Sequence, residues 1–195
     1  MRPIDIRAYK GEIREQGRLL RNSLSPEKRL ELDGKIAKNV FRLYQYKPCT
    51  TLMIYVSTPI EVNTREIINT ALAEGKRVAV PKCTDGTRDM EFYYINSLDE
   101  LKAGTFGVAE PDETAERLTD FAGCLMILPG IQFDYNGYRI GYGKGYYDRY
   151  MSRYTGYSVG LCYDWELRRH LSHGRFDRAV NTVVTDSRIR SCKKV

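Results

Sequence analysis

Histidine and tryptophan are scarce in this 195-residue chain, at two and one. His170 and His173 have a spacing that can bind metal, but the third and fourth ligands of a zinc site are missing. No Ser/His/Asp or Cys/His arrangement for nucleophilic catalysis is evident. The five cysteines (49, 83, 124, 162 and 192) are odd in number, scattered and without a C-x-x-C pair. That argues for reduced thiols in a cytoplasmic protein and against a disulfide framework. No apolar run approaches the ~20 residues of a membrane span, and the start, Met1 to Arg7, lacks the apolar core of a signal peptide. Neither common phosphate template fits. A Walker A loop needs Ser or Thr after its Gly-Lys, and Lys144 is followed by Gly145; a dinucleotide fingerprint needs wider spacing than Gly141, Gly143 and Gly145 provide. There is no internal repeat and no low-complexity segment.

What is present is an ordinary globular composition, with 42% hydrophobic and 29% charged residues. The length suits one domain, residues 1–195, with N-terminal helices over 4–22 and 26–43 packed on it. The net charge of +6 favours acidic partners such as nucleotides, nucleic acid or a polyanionic small molecule, with a merely soluble surface as the alternative.

Periodicity predicts that Ile6, Tyr9, Ile13, Leu20 and Leu24 form the packed face of the first helix. Lys10, Arg14, Arg18 and Arg21 border that face, where they either line a cleft or form a solvated basic edge. Gly11 has no evident purpose in a helix. Ser25 is a good N-cap with Pro26 at the first helical position, and Leu30, Ile36, Ala37, Val40 and Phe41 give the second helix its apolar side. Strands are expected over Thr51 to Val56, over Val78 to Val80 closed by Pro81, and over Glu91 to Ile95, Cys124 to Leu128 and Tyr157 to Tyr163. Helices before and between these strands imply an α/β fold, three layers around a mostly parallel sheet. In such sheets ligands collect beyond the carboxyl ends of strands. Glu61 stands at such an end, either as a site residue or as an exposed loop carboxylate.

The chain is organised around residues 124–153. After the apolar strand and Pro129-Gly130, Asn136-Gly137 signals a tight hairpin. Gly141, Gly143 and Gly145 then alternate with Tyr142 and Lys144, and a helix is expected from Tyr146 to Arg153. Such a turn lets backbone N–H groups approach a phosphate, with Arg139 and Lys144 adding charge and Asp148 a carboxylate for Mg²⁺. The competing reading is a glycine turn required by backbone geometry alone.

Pro129-Gly130-Ile-Gln-Phe-Asp134, Gly137-Tyr-Arg139 and Gly141-Tyr-Gly143-Lys-Gly145-Tyr-Tyr-Asp148-Arg together resemble the signature of the 5-formyltetrahydrofolate cyclo-ligase family. The resemblance covers nearly the whole chain. Lys10-Gly-Glu-Ile-Arg14 is similar to the family's Lys-x-x-Leu-Arg, Glu61-Val-Asn-Thr64 to its Glu-Val-x-Thr, Phe106-Gly-Val-Ala-Glu110-Pro111 to its Gly-Ile-x-Glu-Pro, and Asp177 to Thr185 to its tail. Asn181 and Asp186 stand where the family has Asp and Glu.

The resemblance implies a fold of the NagB/RpiA/CoA-transferase type and an enzyme that uses ATP to close 5-formyltetrahydrofolate to 5,10-methenyltetrahydrofolate, releasing ADP and phosphate. Lys144 and Arg139 would be catalytic. Lys10, Arg14, Arg139, Gly141, Tyr142, Gly143, Lys144, Gly145, Tyr146 and Tyr147 would bind ATP. Glu61, Phe106, Tyr142, Lys144 and Tyr146 would hold the folate, polyglutamylated or not, and Asp148 and Asp177 would bind Mg²⁺. A monomer acting without nucleic acid or membrane is expected. The rival readings are a basic nucleic-acid-binding α/β module, with bases stacked on tyrosines, and an ATP-using or sugar-phosphate enzyme on the same fold.

Overall fold

A computed structural model describes residues 5–84, 86–104, 107–112 and 114–192. Helices α1 (Ile6–Asn22) and α2 (Pro26–Phe41) come first, capped by the side chains of Asp5 and Ser25. Then follow β1 (Thr51–Ile54), α3 (Arg65–Ala73), β2 (Arg77–Cys83), β3 (Met90–Ile95), β4 (Lys102–Ala103), β5 (Ala109–Glu110), β6 (Cys124–Pro129), β7 (Gln132–Asp134), β8 (Arg139–Ile140), α4 (Tyr146–Met151), β9 (Tyr157–Leu161), β10 (Leu167–Arg168), β11 (Thr182–Val184) and β12 (Ile189–Ser191).

Seven strands form the central sheet in the order β12-β11-β9-β6-β1-β2-β3. From β11 to β2 the pairings are parallel, and the edge strands β3 and β12 are antiparallel, so the expected mostly parallel sheet is present. Every residue of β6 is buried, which explains why its sequence is a continuous apolar run without alternation. Its side chains divide between two cores. Leu125 and Ile127 pack with Ile36 and Val40 of α2 and Ile67 of α3, and Met126 and Leu128 pack on the other face with Phe133 of β7 and Tyr150 of α4. The smaller sheet β10-β7-β8 contains the expected hairpin, with Gly137 at φ +90°.

Three expectations are corrected. β2 runs through Pro81 to Cys83. Its ladder with β1 ends at Ala79, so beyond that point β3 is its one sheet neighbour and a proline is tolerated. In α2, Leu30 is 72% exposed and Leu32 takes its place in the core with Ile36, Ala37 and Val40. The largest departure is α1. Leu19 and Leu20 are 62% and 46% exposed and Ile6 also faces solvent, while Gly17 and Arg21 are its buried residues and Lys10, Ile13 and Arg14 are half-buried. The cause is the surface that α1 meets. It lies against strand ends and loops whose carbonyl oxygens lack sheet partners, and arginine satisfies these where leucine cannot.

Gly11, the odd glycine of the sequence, is exposed, and a Cβ there would meet nothing within 4 Å. Gly11→Ala is therefore expected to stabilise the protein by about 0.5–1 kcal/mol, read as a higher midpoint in urea. A lower midpoint would mean that the helix surface at Gly11 has a packing role.

Candidate active site

Beyond the carboxyl ends of β1, β2 and β6 lies a cleft of about 630 Å³. Each neighbouring element has a local reason to reach it. β1 continues through buried Tyr55 and Val56 into a loop that returns at Glu61, where Thr58 N–H and Oγ1 donate to Glu61 Oε2 at 2.8 and 2.9 Å. Thr64 Oγ1 closes that loop by donating to Tyr55 O at 2.7 Å. β8 leads into the glycine loop, where Gly143 and Gly145 hold φ of +94° and +79°. The positive φ of Gly143 requires glycine, and a Cβ there would come within 3.3 Å of the Arg14 guanidinium, which would have to give way by a few tenths of an ångström.

Lys10, Arg14, Glu61, Arg139, Gly141, Tyr142, Gly143, Lys144, Gly145, Tyr146, Tyr147, Asp148 and Asp177 all line this cleft. Phe106 lies outside the described residues. Arg14 Nε donates to Gly141 O at 2.8 Å and so ties α1 to the glycine loop. Burial, then the neighbouring Arg18, lower the Arg14 pKa, with Asp177 opposing. Lys10 Nζ pairs with Asp177 Oδ2, which also accepts from Gly174 N–H at 2.7 Å. Burial works to raise the Asp177 pKa, but the hydrogen bonds from Lys10 and Gly174 and the charges of Lys10 and Arg139 prevail and hold it below its ordinary value. Arg139 is buried. Its Nη2 pairs with Asp148 Oδ1 at 3.1 Å and its Nη1 donates to Arg178 O at 2.9 Å.

Elsewhere in the cleft, burial raises the Glu61 carboxyl, with the Thr58 bonds and the Arg21 charge opposing. The Tyr142 hydroxyl is buried beside Glu61 without completing a hydrogen bond, and burial and the nearby carboxylate keep it protonated. The cleft thus gathers the cations Lys10, Arg14 and Arg139 with Asp148 and Asp177, and an apolar, aromatic lining with the carboxylates Glu61 and Glu110. α4 has six residues, so its helix dipole is small and the backbone amides of the loop are the more numerous donors beside these cations.

The model of the 5-formyltetrahydrofolate cyclo-ligase family matches residues 6–186. The chain belongs to the 5-formyltetrahydrofolate cyclo-ligase family. Among its relatives is a Schizosaccharomyces pombe protein described as "Probable 5-formyltetrahydrofolate cyclo-ligase", 33% identical over 79% of this chain and 83% of that one. The solved 5,10-methenyltetrahydrofolate synthetase of Aquifex aeolicus superposes with a TM-score of 0.83 at 31% identity, covering 95% of this chain and 94% of that one. The synthetase of Mycoplasma pneumoniae, at 22% identity, shares the fold with a TM-score of 0.73, over 91% of this chain and 98% of that one.

In this cyclo-ligase family member the two departures from the family tail have structural work. Asn181 Oδ1 accepts from Ser158 N–H and Oγ at 2.9 Å, bracing β9 against β11. Asp186 Oδ1 accepts from Asp164 N–H at 2.8 Å. None of the five cysteines forms a disulfide. Burial, its largest cause, pushes Cys124 and Cys192 up to about 11, which removes them as nucleophiles near neutrality. His173 stacks on Tyr138 with ring centroids 3.6 Å apart, and no group of three metal-ligating side chains gathers among the described residues. No helix among them is long and apolar enough to cross a membrane.

The sequence reading missed Tyr55, Cys83 and Met90, which line the cleft from strand ends. It also misplaced Arg21, which is no cleft cation but a fully buried partner of Glu166.

Proposed function

We propose that the protein converts 5-formyltetrahydrofolate and ATP into 5,10-methenyltetrahydrofolate, ADP and phosphate. The observation that carries this reading, beside family membership, is that one cleft gathers cations, loop glycines and two aspartates with tyrosines and the carboxylates Glu61 and Glu110. A formamide oxygen is a poor leaving group. Transfer of the terminal phosphoryl group of ATP to it makes it a good one. The neighbouring folate nitrogen then attacks the formyl carbon, the five-membered ring closes and phosphate leaves with that oxygen.

Phosphoryl transfer asks the protein for positioning and charge compensation. Lys10, Arg14, Lys144 and the amides of Gly141 to Gly145 would bind the phosphates. Arg139 would add charge while orienting Asp148. Tyr146 and Tyr147 would border the nucleotide and the folate. Thr58 occupies Glu61 Oε2, and the carboxylate's other oxygen would accept from the pterin's N–H groups.

The residues present also fit Mg²⁺. Asp148 Oδ2 and Asp177 Oδ1 have no hydrogen-bond partner among the described residues, and Mg²⁺ takes one or two such hard oxygens beside water and phosphate. When bound it would neutralise phosphate charge. Asp148→Asn is expected to raise the Mg²⁺ concentration for half-maximal rate about tenfold; an unchanged titration would contradict this assignment.

The orphan hydroxyl of Tyr142 is read as waiting for substrate. Tyr142→Phe is expected to stabilise the free protein by about 1 kcal/mol, because an unsatisfied buried group is removed, and to raise KM for the folate roughly tenfold. A loss of stability would show that the hydroxyl is already satisfied.

The decisive test is spectrophotometric. Protein, Mg-ATP and 5-formyltetrahydrofolate are mixed and the near-ultraviolet absorbance of the methenyl product is followed. No absorbance, together with binding to single-stranded nucleic acid that weakens steeply with salt, would favour the rival basic module.

A further inference from the structure

Arg21 lies in the last turn of α1 and Glu166 in the short turn after β9, each 1% exposed. Arg21 Nε and Nη2 meet the two Glu166 oxygens at 2.7 and 2.8 Å. The guanidinium does more than pair. Nη1 donates to Ile60 O at 3.1 Å, and Nη2 donates to Gly130 O at 2.7 Å and to Ile131 O at 3.4 Å. Ile60 immediately precedes Glu61, and Gly130 opens the turn between β6 and β7. Arg29 of α2 braces the same place, donating to Pro59 O and to Arg21 O.

One planar group therefore joins α1, the Glu61 loop and the β6–β7 turn. α1 also presents Lys10 and Arg14 to the cleft. We propose that Arg21 is a positioning residue, fixing the Glu61 loop relative to α1 and so setting the span between the folate end and the phosphate end. This rests on the folate reading of Glu61 given above. The pair is a costly way to gain stability, since two charges must leave water and apolar side chains of similar volume often do as well. The fork geometry is what apolar residues cannot reproduce. α1 has separate anchors at its phosphate end, through Arg14 to Gly141 O and Lys10 to Asp177, whereas Arg21 is its hydrogen-bonded link to Ile60. Loss of Arg21 should therefore loosen the folate side selectively.

The test uses two variants of the full chain. Arg21→Lys keeps a charge opposite Glu166, but an ammonium cannot span the carbonyls that the guanidinium reaches. Arg21→Met with Glu166→Met removes both charges together. Each is expected to raise KM for 5-formyltetrahydrofolate roughly tenfold, the effect of losing about one buried hydrogen bond, and to change KM for ATP by less than about twofold. Amide hydrogen exchange should quicken over residues 57–63 and stay unchanged over β6. A folate KM that hardly moves in both variants overturns the proposal, as does an ATP KM rising in step. Failure of both variants to fold overturns it too, because Arg21 would then be a stability residue. If the unaltered protein makes no methenyl product, the functional reading fails by itself. Exchange then decides for Arg21, with unchanged protection over 57–63 counting against it.

Discussion

Lys144→Ala is expected to lower kcat/KM about 10²–10³-fold, the usual consequence of removing one preorganised group that stabilises transition-state charge, while leaving the melting temperature unchanged. The two halves of this expectation come from different observations. Lys144 is exposed at the cleft wall, between two glycines of positive φ, and it belongs to neither core. Truncating it leaves no cavity in either apolar core, so stability should hold. The rate should not, because charge spreads over the transferring phosphoryl oxygens and must be met by fixed cations. Arg14 and Arg139 are already committed to Gly141 O and to Asp148 and Arg178 O, so neither is placed to replace the missing charge. Steady-state kinetics with ATP and folate varied separately, beside thermal unfolding, check this. Full turnover in the variant would remove the glycine loop from the chemistry.

The contrast between loop and helix explains what could be read from residues alone. β1, β6 and β9 were legible because parallel central strands are buried on both faces and so appear as apolar runs closed by turn residues. The glycine loop was legible because its backbone requirement is written locally. Arg21 and Glu166 were not, since they lie 145 positions apart and neither has a local signature of burial. Tyr55 and Cys83 reach the cleft only because strands β1 and β2 end there. α1 misled for a further reason. Periodicity reports which face of a helix is apolar, and it assumes that the surface receiving it is apolar too. Here the receiving surface presents carbonyl oxygens beside Ile131, so Arg14, Gly17 and Arg21 pack against it and Leu19 and Leu20 face outward.

That inverted packing leads to the second large effect. Gly17→Val is expected to cost about 1–3 kcal/mol by overpacking and to lower the melting temperature by several degrees, while also raising KM for ATP. A Cβ at Gly17 would sit 2.2 Å from Ile131 Cγ2, closer than side-chain carbons can come, and Ile131 is itself buried. The helix must therefore move away from the β6–β7 turn. Lys10 and Arg14 ride on the same helix, so their charges would shift from the glycine loop with it. Loss of stability and loss of ATP affinity should appear together, unlike Lys144→Ala, where rate falls alone. Gly11→Ala, on the exposed side of the same helix, should move stability in the opposite direction and leave KM for ATP where it was. If Gly17→Val melted like the unaltered protein and bound ATP as well, the close approach of α1 would carry no weight, and the cations would have to be held by Arg14 and Lys10 themselves through Gly141 and Asp177.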